Sequence, residues 1–511
     1  MGKTRNRVVA FFLAMCMLLS VGAVFGSQPA EAAKKPKLSA KKMTVYIGKT
    51  KTLKVKKNGT KTIVKTSWKV SNKKIVTLSK KKKTSVKLKG KKTGSTKVKA
   101  VVRYRRKGTK KVYKTTLTCK LKAEVYVSPA AKKKANVKKA TTQYSSLAKL
   151  AEKHGMKLGT VVNYGYMSDT NYKNLVKYHF NSLTAGNEFK AYSLLDQQKS
   201  AQNKDGMPVM NYAMADAIMD FAKANGIKIR GHVLVWHAYM SDWFFREGYD
   251  QDKKYVSKAV MQKRLKYYIQ DVITHFEKKY PGVIYCWDVV NEAVADSSVG
   301  NDKRNLRTDN QFYQILGSDY VEQTFLYAKD VVEDLGADIK LYYNDYNAFF
   351  AAKREEICNL ATSINSYVKD DSGQYRKLCD GIGMQGYIGG YGTQTGCMNE
   401  AQIPLIKTAI EKYASLGFEV QVTEMAVRNY SGSTKNMKTH AEFYKKLFQM
   451  FIGINTGEDK PLKAVSIWGL FDDPTLTQGS YGYSMNGPYC GLFDELYGVK
   501  DSFKNVYSVL K

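Results

Sequence analysis

Two strand-like runs of the chain, residues 286–292 and 420–424, each end in a glutamate. In an α/β barrel the catalytic groups lie at the carboxyl ends of the strands. Cleavage of a glycosidic bond needs two carboxyl groups, one to protonate the leaving oxygen and one to attack or stabilise the sugar carbon. If Glu292 and Glu424 face each other, the pair predicts a glycoside hydrolase.

The elements that must position these glutamates follow a regular alternation of apolar strand-like runs and amphipathic stretches. Helical periodicity is clear at residues 261–279, 321–335, 403–415 and 439–452. Eight such repeats predict a (β/α)₈ barrel over residues 144–511. An open doubly wound sheet also alternates in this way, but no glycine-rich phosphate loop follows the first strand. The candidate strands begin at Lys157, Phe180, Lys228, Val283, Ile339, Asp380, Glu419 and Ala464.

Polar and aromatic residues stand at the ends of successive candidate strands. Individually they have ordinary explanations, since Trp236 and Trp468 could belong to the core and His232 could be a structural histidine. Together they predict a carbohydrate pocket, in which aromatic faces pack on sugars while amides and charged groups bind hydroxyls. The residues are Asn187, Lys190, His232, Trp236, His237, Asn291, Asn344, Gln385, Tyr387 and Trp468.

The net charge of +40 on these 511 residues lies almost entirely in one segment. Residues 34–140 contain 39 lysines or arginines and a single acid, Glu124, whereas residues 141–511 contain 42 of each sign. The change in charge predicts a domain boundary. Short alternating runs at 44–47, 52–55, 85–88 and 97–101 predict a β-sandwich over residues 38–127. Proline, alanine and lysine in residues 128–143 indicate a linker.

The alternating lysines of this basic segment have two interpretations. They could be the solvated face of the sandwich, or they could bind an anionic partner, because uncompensated charge of one sign destabilises a fold. Candidate partners are anionic cell-wall polymers and the acidic substituents of a polysaccharide. Nucleic acid fits the charge alone, but the predicted export of the chain argues against it.

The first 32 residues predict a secretory signal peptide. Lys3, Arg5 and Arg7 precede an apolar stretch at 8–25, and Ala30-Glu31-Ala32 offers a cleavage site. The protein is therefore expected to be secreted, and it could be associated with the cell wall. The alternative is an uncleaved membrane anchor, since the apolar stretch approaches the length of a spanning helix.

The cysteines and histidines predict no metal site. Cys16 lies in the signal, and no cysteine or histidine cluster has metal-ligand spacing. One or two disulfides are possible in an exported protein, with a connectivity that the sequence does not define. Cys119 is isolated and is expected to be a buried small hydrophobe. The other cysteines are Cys286, Cys358, Cys379, Cys397 and Cys490.

The ordered strand-end motifs resemble the family 10 glycoside hydrolases, the endo-β-1,4-xylanases, from Leu147 to the C-terminus. The basic segment is similar to the group 2 bacterial Ig-like domains at 68–76 (WKVSNKKIV) and 89–96 (KGKKTGST). The barrel motifs are 231–237 (GHVLVWH), 287–293 (WDVVNEA), 343–346 (YNDY), 383–386 (GMQG), 422–424 (VTE) and 467–469 (IWG).

The family resemblance implies a retaining mechanism that needs no cofactor and acts on xylan or a related β-1,4-linked polysaccharide. Glu292 would be the acid/base and Glu424 the nucleophile, with carboxyl groups about 5–5.5 Å apart. We expect the ionised neighbour to raise the pKa of the acid. Asn291 would bind the sugar 2-OH. Of the other residues, Asn187, Lys190 and His232 would bind glycone hydroxyls, Trp236, Asn344 and Gln385 would line the site, His237 would support it, and Trp468 would roof it.

The chain departs from the family pattern around this site. Glutamate is usual where Gly186 stands, and histidine is usual where Tyr387 stands. The other departures are Ala191 for tryptophan, Tyr239 for glutamine, Met425-Ala426 for an aliphatic–Asp pair, and Tyr481 or Tyr483 for a second pocket tryptophan. None removes a catalytic carboxylate, so they bear on substrate preference and pH optimum. Two alternatives therefore stay open: a retaining hydrolase of another β-glycan, and a polysaccharide-binding or wall-attachment protein that has lost turnover.

Overall fold

The structure, a computed structural model, describes residues 34–300, 302–388 and 398–511. The chain divides between Ser128 and Pro129 into two compact units. The predicted signal peptide, residues 1–32, lies outside the described residues.

The N-terminal unit consists of two four-stranded sheets, as the alternating pattern predicts. Their strand orders are β1-β3-β6-β5 and β2-β8-β7-β4. One apolar cluster, including Leu53, Val86, Val98 and Leu121, takes residues from both sheets. The strands are β1 (Lys37–Leu38), β2 (Lys42–Tyr46), β3 (Thr50–Lys56), β4 (Thr62–Val70), β5 (Val76–Ser79), β6 (Ser85–Gly90), β7 (Gly94–Arg105) and β8 (Val112–Glu124).

The second unit contains the predicted barrel. Eight parallel strands follow the order β11-β10-β9-β17-β16-β15-β14-β13, and pairing of β11 with β13 closes the sheet. Each predicted strand start is confirmed to within two residues. The strands are β9 (Lys157–Val162), β10 (Ser182–Ala185), β11 (Lys228–Gly231), β12 (Val235–Trp236, a short addition beside β13), β13 (Ile284–Asn291), β14 (Lys340–Asp345), β15 (Gly381–Met384), β16 (Glu419–Met425) and β17 (Leu462–Ile467).

The four predicted helices are confirmed as α7, α9, α11 and α12. Three are longer than their periodic cores, and α9 has the predicted length but begins one residue earlier. Side-chain caps at Ser257 and Ser433 begin α7 and α12. The helices are α1 (Pro129–Gln143), α2 (Leu147–Glu152), α3 (Thr170–His179), α4 (Ala191–Leu194), α5 (Gln197–Gln202), α6 (Ala213–Ala224), α7 (Lys258–Lys279), α8 (Gln311–Leu316), α9 (Tyr320–Asp334), α10 (Ala351–Asn365), α11 (Gln402–Ser415), α12 (Thr434–Ile454), α13 (Tyr481–Met485) and α14 (Asp501–Leu510). Short 3₁₀ turns occupy Tyr164–Ser168, His237–Tyr239, Asp242–Phe245 and Glu247–Tyr249.

The prediction of a linker at residues 128–143 is wrong, because helix α1 occupies this segment and belongs to the second unit. Pro129 is at the first helical position, where its missing N–H costs nothing. Alanine and lysine are strong helix formers, and Val137 and Ala140 are buried on one face. Asn136 Nδ2 donates to the carbonyl oxygen of Leu496 at 2.9 Å. The second unit therefore begins at Pro129 rather than at residue 144.

The cysteines of the described chain form no disulfide, contrary to one of the possibilities raised by the sequence. Cys119 is fully buried in the N-terminal core, as expected. Cys397 lies outside the described residues. The unpaired, buried cysteines are Cys119, Cys286, Cys358, Cys379 and Cys490. No helix within the described ranges is long and apolar enough to cross a membrane.

Candidate active site

Glu292 follows the last residue of β13 in a left-handed backbone conformation, with a φ of 57°. A residue with a side chain adopts this region only at a cost, and the surrounding structure must hold it there. The backbone N–H and carbonyl groups of Glu292 both form hydrogen bonds. Its N–H donates to the Asn344 carbonyl oxygen at 2.9 Å. Its own carbonyl oxygen accepts from Arg307 Nε at 3.0 Å. The carboxyl group is thereby fixed at the carboxyl end of the barrel.

A chain of four hydrogen bonds joins the carboxyl groups of Glu292 and Glu424. Gln385 Nε2 donates to Glu292 Oε1 at 2.7 Å and to Asn291 Oδ1 at 3.3 Å. Asn344 Nδ2 donates to the same Asn291 oxygen at 2.8 Å and to Glu424 Oε1 at 3.3 Å. The two glutamates that end β13 and β16 therefore belong to one site, which three of the predicted polar residues hold together.

The acid–base properties of Glu292 differ from those of an exposed glutamate. Burial raises its pKa to about 8, and the negative charges of Asp345 and, to a smaller extent, Glu424 act in the same direction. Trp236 Nε1 donates to Oε2 at 2.9 Å. At neutral pH the carboxyl group is therefore mostly protonated. The raised pKa agrees with expectation, but its cause does not, because burial and Asp345 contribute more than the neighbouring Glu424.

Asp345 belongs to a buried charge network that the sequence did not reveal. Its carboxylate accepts from Tyr343 Oη at 2.5 Å and pairs with Lys353 Nζ at 2.9 Å. The same ammonium group lies 3.1 Å from Asp296, which pairs with Arg307 at 3.0 Å. Arg307 in turn binds the carbonyl oxygen of Glu292, so the network both positions the glutamate and sets the charge around it.

Glu424 has a tyrosine where the family pattern has a histidine. Tyr387 Oη donates to Glu424 Oε2 at 2.5 Å. Burial and the adjacent carboxylate raise the pKa of Tyr387 well above its ordinary value, so the hydroxyl keeps its proton. Tyr387 packs with Ala426 and Met485, and Trp468 lies against this cluster. Tyr387 therefore still donates a hydrogen bond to Glu424, but this donor is neutral and, unlike a histidine, cannot carry a positive charge.

A second buried ion pair lies inside the barrel below the site. Asp288 on β13 and Arg230 on β11 pair with both side chains fully buried. His232 Nδ1 lies 2.8 Å from the Asp288 carboxylate. Gly231 separates Arg230 from His232, and a Cβ at this glycine would lie 2.3 Å from the Trp287 ring. His232, predicted to bind a glycone hydroxyl, is therefore held by a carboxylate beneath the site.

A cleft of about 500 Å³ opens among residues that follow β10 and β17. Lys190 Nζ lies 5.0 Å from the ring centre of Trp236 and 4.8 Å from that of Tyr239. Burial lowers the pKa of Lys190, while the acidic residues around it oppose this shift. Burial also lowers the pKa of His237 to about 4, so this histidine is neutral at pH 7. The predicted residues that line the cleft are Asn187, Lys190 and Trp468.

The structure explains how the chain accommodates Gly186 at the edge of this cleft. A Cβ at Gly186 would lie 2.4 Å from Asn163 Oδ1, so the asparagine occupies the place of a side chain. The nearby carboxylate of Glu188 accepts from the Tyr164 backbone N–H at 2.6 Å. Tyr481 also lines the cleft, whereas Tyr483 packs on Tyr430 with ring centres 4.9 Å apart. Of the two tyrosines considered as replacements for a pocket tryptophan, only Tyr481 lines the cleft.

No group of three or more metal-ligating side chains occurs among the residues that the structure describes.

The profile of glycosyl hydrolase family 10 matches residues 146–509. The chain belongs to this family. It is 36% identical over 305 residues to endo-1,4-beta-xylanase A of Thermotoga maritima, covering 58% of this chain and 25% of the relative. It is 31% identical over 391 residues to endo-1,4-beta-xylanase Y of Acetivibrio thermocellus, covering 73% of this chain and 33% of the relative. The chain thus spans a third or less of the length of these two relatives.

Solved structures of the family share the fold of this chain. The intracellular xylanase of Thermoanaerobacterium saccharolyticum is 31% identical, and the match covers 71% of this chain and 99% of that one with a TM-score of 0.56. The Clostridium thermocellum xylanase 10B fragment, solved with xylohexaose, is 26% identical and covers 84% of this chain and 74% of that one with a TM-score of 0.59. The chain is therefore a family 10 glycoside hydrolase with a barrel of the family type.

The charge network predicts opposite effects of two substitutions on the pKa of Glu292. Asp345→Asn removes a negative charge and should lower this pKa from about 8. Lys353→Met leaves Asp345 without its counterion and should raise it. The charged groups facing this site also include Glu424, Arg307, Lys190 and Asp296, which both variants retain. Titration of ¹³C-labelled glutamate carboxyl groups by NMR, assigned with Glu292→Gln, measures the shift. Shifts of the same sign in both variants would contradict this electrostatic account.

The contact between Tyr387 and Glu424 predicts a loss of activity when the hydroxyl is removed. A hydrogen bond to a charged group is worth about 1.5–3 kcal/mol, so Tyr387→Phe should lower kcat/KM by about 10- to 100-fold. Tyr387→His should recover part of this loss because histidine can donate. The matched control is Tyr413→Phe, which removes a buried hydroxyl that donates to Ala348. Equal activity of Tyr387→Phe and the unmodified protein would show that the hydroxyl does not orient Glu424.

Proposed function

We propose that the protein is a secreted endo-1,4-β-xylanase that hydrolyses xylan with retention of configuration. The observation that carries this proposal is the difference in protonation between two carboxyl groups that a chain of hydrogen bonds joins. Glu292 is mostly protonated at neutral pH, and Glu424 accepts hydrogen bonds from Tyr387 and Asn344. A protonated carboxyl group and a carboxylate in one hydrogen-bonded site are what double displacement at a sugar requires.

In the first step Glu424 attacks the anomeric carbon while the bond to the leaving oxygen breaks. The proton of Glu292 moves to that oxygen, the aglycone departs, and an ester joins the sugar to Glu424. Consumption of the Glu424 charge in this bond lowers the pKa of Glu292, because a neighbouring negative charge is lost. Glu292 is thereby converted from an acid into a base at the moment the second step needs one.

In the second step Glu292 accepts a proton from water, and the water oxygen forms a bond to the anomeric carbon. The ester bond breaks, its electron pair returns to Glu424, and Glu292 again carries a proton. Two inversions give net retention. The Asn291 side chain supports this scheme, because its Nδ2 has no partner among the described residues although the residue is only 1% exposed. That donor is available to a sugar 2-OH.

Relatives that are named as xylanases support xylan as the substrate. A further relative is named as an exoglucanase, so another β-glycan stays open as the substrate. Exoglucanase XynX of Acetivibrio thermocellus is 35% identical over 325 residues, 62% of this chain and 26% of the relative. Gly186 and Tyr239 also alter the glycone side of the cleft. Hydrolysis of another β-glycan is therefore the second candidate function. The linked pair of carboxyl groups argues against a binding protein without turnover.

The mechanism predicts distinct outcomes for the two glutamates. Glu292→Ala and Glu424→Ala should each lower kcat/KM on xylan by about 10²- to 10⁴-fold. Azide should rescue Glu424→Ala with formation of the α-glycosyl azide, because azide then attacks directly. It should rescue Glu292→Ala with formation of the β-azide, because the ester to Glu424 still forms. Glu419→Gln, at the other end of β16, is the matched control and should keep full activity.

Proton NMR of the first product tests the stereochemistry and the substrate together. The unmodified protein should release the β-anomer from xylan, and it should cleave β-glucan more slowly. Initial release of the α-anomer would exclude retention. Faster cleavage of glucan would assign the enzyme to the alternative substrate.

We further propose that residues 1–32 direct export and that the N-terminal unit is an Ig-like domain. The basic n-region, the apolar stretch and the small-residue site support export. Protein recovered from the culture medium should begin at or near residue 33 by N-terminal sequencing. A membrane-bound chain that retains residue 1 would instead support the uncleaved anchor.

A further inference from the structure

The outward face of the sheet β2-β8-β7-β4 is built from basic residues in a regular pattern. Along β7 the buried positions Val98, Ala100 and Val102 alternate with exposed positions that include Lys97 and Lys99. The same alternation continues on β8 and β4. Because side chains of a strand point alternately to the two faces of a sheet, the exposed lysines and arginines of these strands lie on a single surface.

The strand register places these charges directly opposite one another. Lys120 pairs with Lys42 on one side and with Lys97 on the other. A second row joins Lys65, Arg103 and Lys114 across β4, β7 and β8. Side chains of paired residues are about 4.5–5.5 Å apart at Cβ, and like charges in such pairs destabilise a sheet. We define these six residues as the basic face.

The unit contains almost no acid that could neutralise this charge. Within residues 34–140 the sole acidic residue is Glu124. In the described part of this unit the single ion pair is Lys122–Glu124, at 2.6 Å. That pair lies at the end of β8 rather than in either row. The repulsion within the basic face is therefore not relieved by other side chains of the unit.

The other sheet of the same unit has a like-charge pair only at its edge, where Lys37 faces Lys56, and its central strands provide an internal comparison. Its exposed Lys54 faces Ser85, while Lys87 faces Thr52 and Ser79. Lys89 faces Thr50 and Thr77 in the same way. Lysine opposite threonine or serine carries no like-charge penalty. Solubility alone would be served by either pattern, so the rows of opposed charges call for another explanation.

We propose that the basic face is a binding surface for a linear polymer of phosphodiesters, of the kind found in bacterial cell walls. Five of its six residues are lysines, whose ammonium groups bind phosphate as point charges, without the bidentate fork that arginine offers to carboxylates and phosphates alike. Between the rows lie a further opposed pair, Lys69 and Lys99, and small or hydroxyl-bearing residues such as Val101 and Thr116. No aromatic ring on which sugars or bases would stack lies between the rows, because Tyr46 lies beyond them, opposite Glu124 at the end of β2. The polymer is therefore held mainly by its charge. The inference depends on the proposed export only for the source of the polymer.

Binding of such a polymer would relieve the repulsion between the rows, because each phosphate can lie between opposed ammonium groups. Release of counterions from the polymer makes the affinity fall steeply with salt. The face would hold the full chain on phosphate-rich walls without contributing to hydrolysis by the barrel.

Two triple variants of the full chain test the proposal. The first, Lys42→Gln/Lys97→Gln/Lys120→Gln, removes one row of the basic face. The second, Lys54→Gln/Lys87→Gln/Lys89→Gln, removes the same charge from the other sheet. Affinity for purified poly(glycerol phosphate) is measured at 50 and 300 mM NaCl. The first variant should bind at least about tenfold more weakly at low salt and show a shallower salt dependence. The second should bind within about twofold of the unmodified chain.

Two further measurements separate this proposal from its competitors. The first triple variant should melt at a higher temperature than the second, because it alone relieves like-charge pairs. Hydrolysis of soluble xylo-oligosaccharides should be unchanged in both variants, so failure of the proposed enzyme activity would be recognised independently. Equal loss of binding in both variants would show that net charge alone sets the affinity, and it would overturn the proposal that the basic face is the binding surface. Absence of binding, or equal or tighter binding to polygalacturonate or glucuronoxylan, would overturn the phosphodiester assignment. Equal or tighter binding to duplex DNA, which is also a phosphodiester polymer, would overturn the assignment to a cell-wall polymer.

Discussion

Burial of charge inside the barrel is the constraint on which the active site depends. An ionised group removed from water is tolerated only when a counterion and hydrogen bonds compensate it. Asp288 meets this requirement through Arg230 and His232, and Asp345 meets it through Lys353 and Tyr343. These pairs occupy the space around β13, so Glu292 has no strong counterion of its own. Burial also raises the pKa of Asp345, so its compensation is partial, and burial together with the charge of Asp345 raises the pKa of Glu292.

The carboxyl groups of Glu292 and Glu424 are held by neutral donors rather than by cations. Amides of Gln385 and Asn344, the indole of Trp236 and the hydroxyl of Tyr387 contact them. A neutral donor orients a carboxylate while leaving its charge available to react, whereas a close cation would stabilise the ground state as well. Tyr387 is one of these neutral donors, and it stands where the family pattern has a histidine.

Much of the fold and the centre of the site could be predicted from the sequence, for identifiable reasons. Parallel barrel strands are buried on both faces, so their apolar runs stand out and their ends mark one rim of the barrel. The network of Asp345, Lys353 and Arg307 could not be predicted, because its members come from a strand, a helix and a loop without a shared period. Helix α1 was missed because alanine and lysine suit both a linker and a helix, and only packing of Val137 distinguishes them. The opposed lysine rows depend on strand register, which alternation alone does not define.

The five cysteines of the described chain are buried thiols. Burial raises the pKa of each of them, so little reactive thiolate forms at neutral pH. Secreted proteins commonly depend on oxidation to reach a stable fold. Here the two cores are complete without a covalent cross-link between described residues. In these parts of the protein the five thiols therefore contribute to stability as packed apolar groups rather than as cross-links.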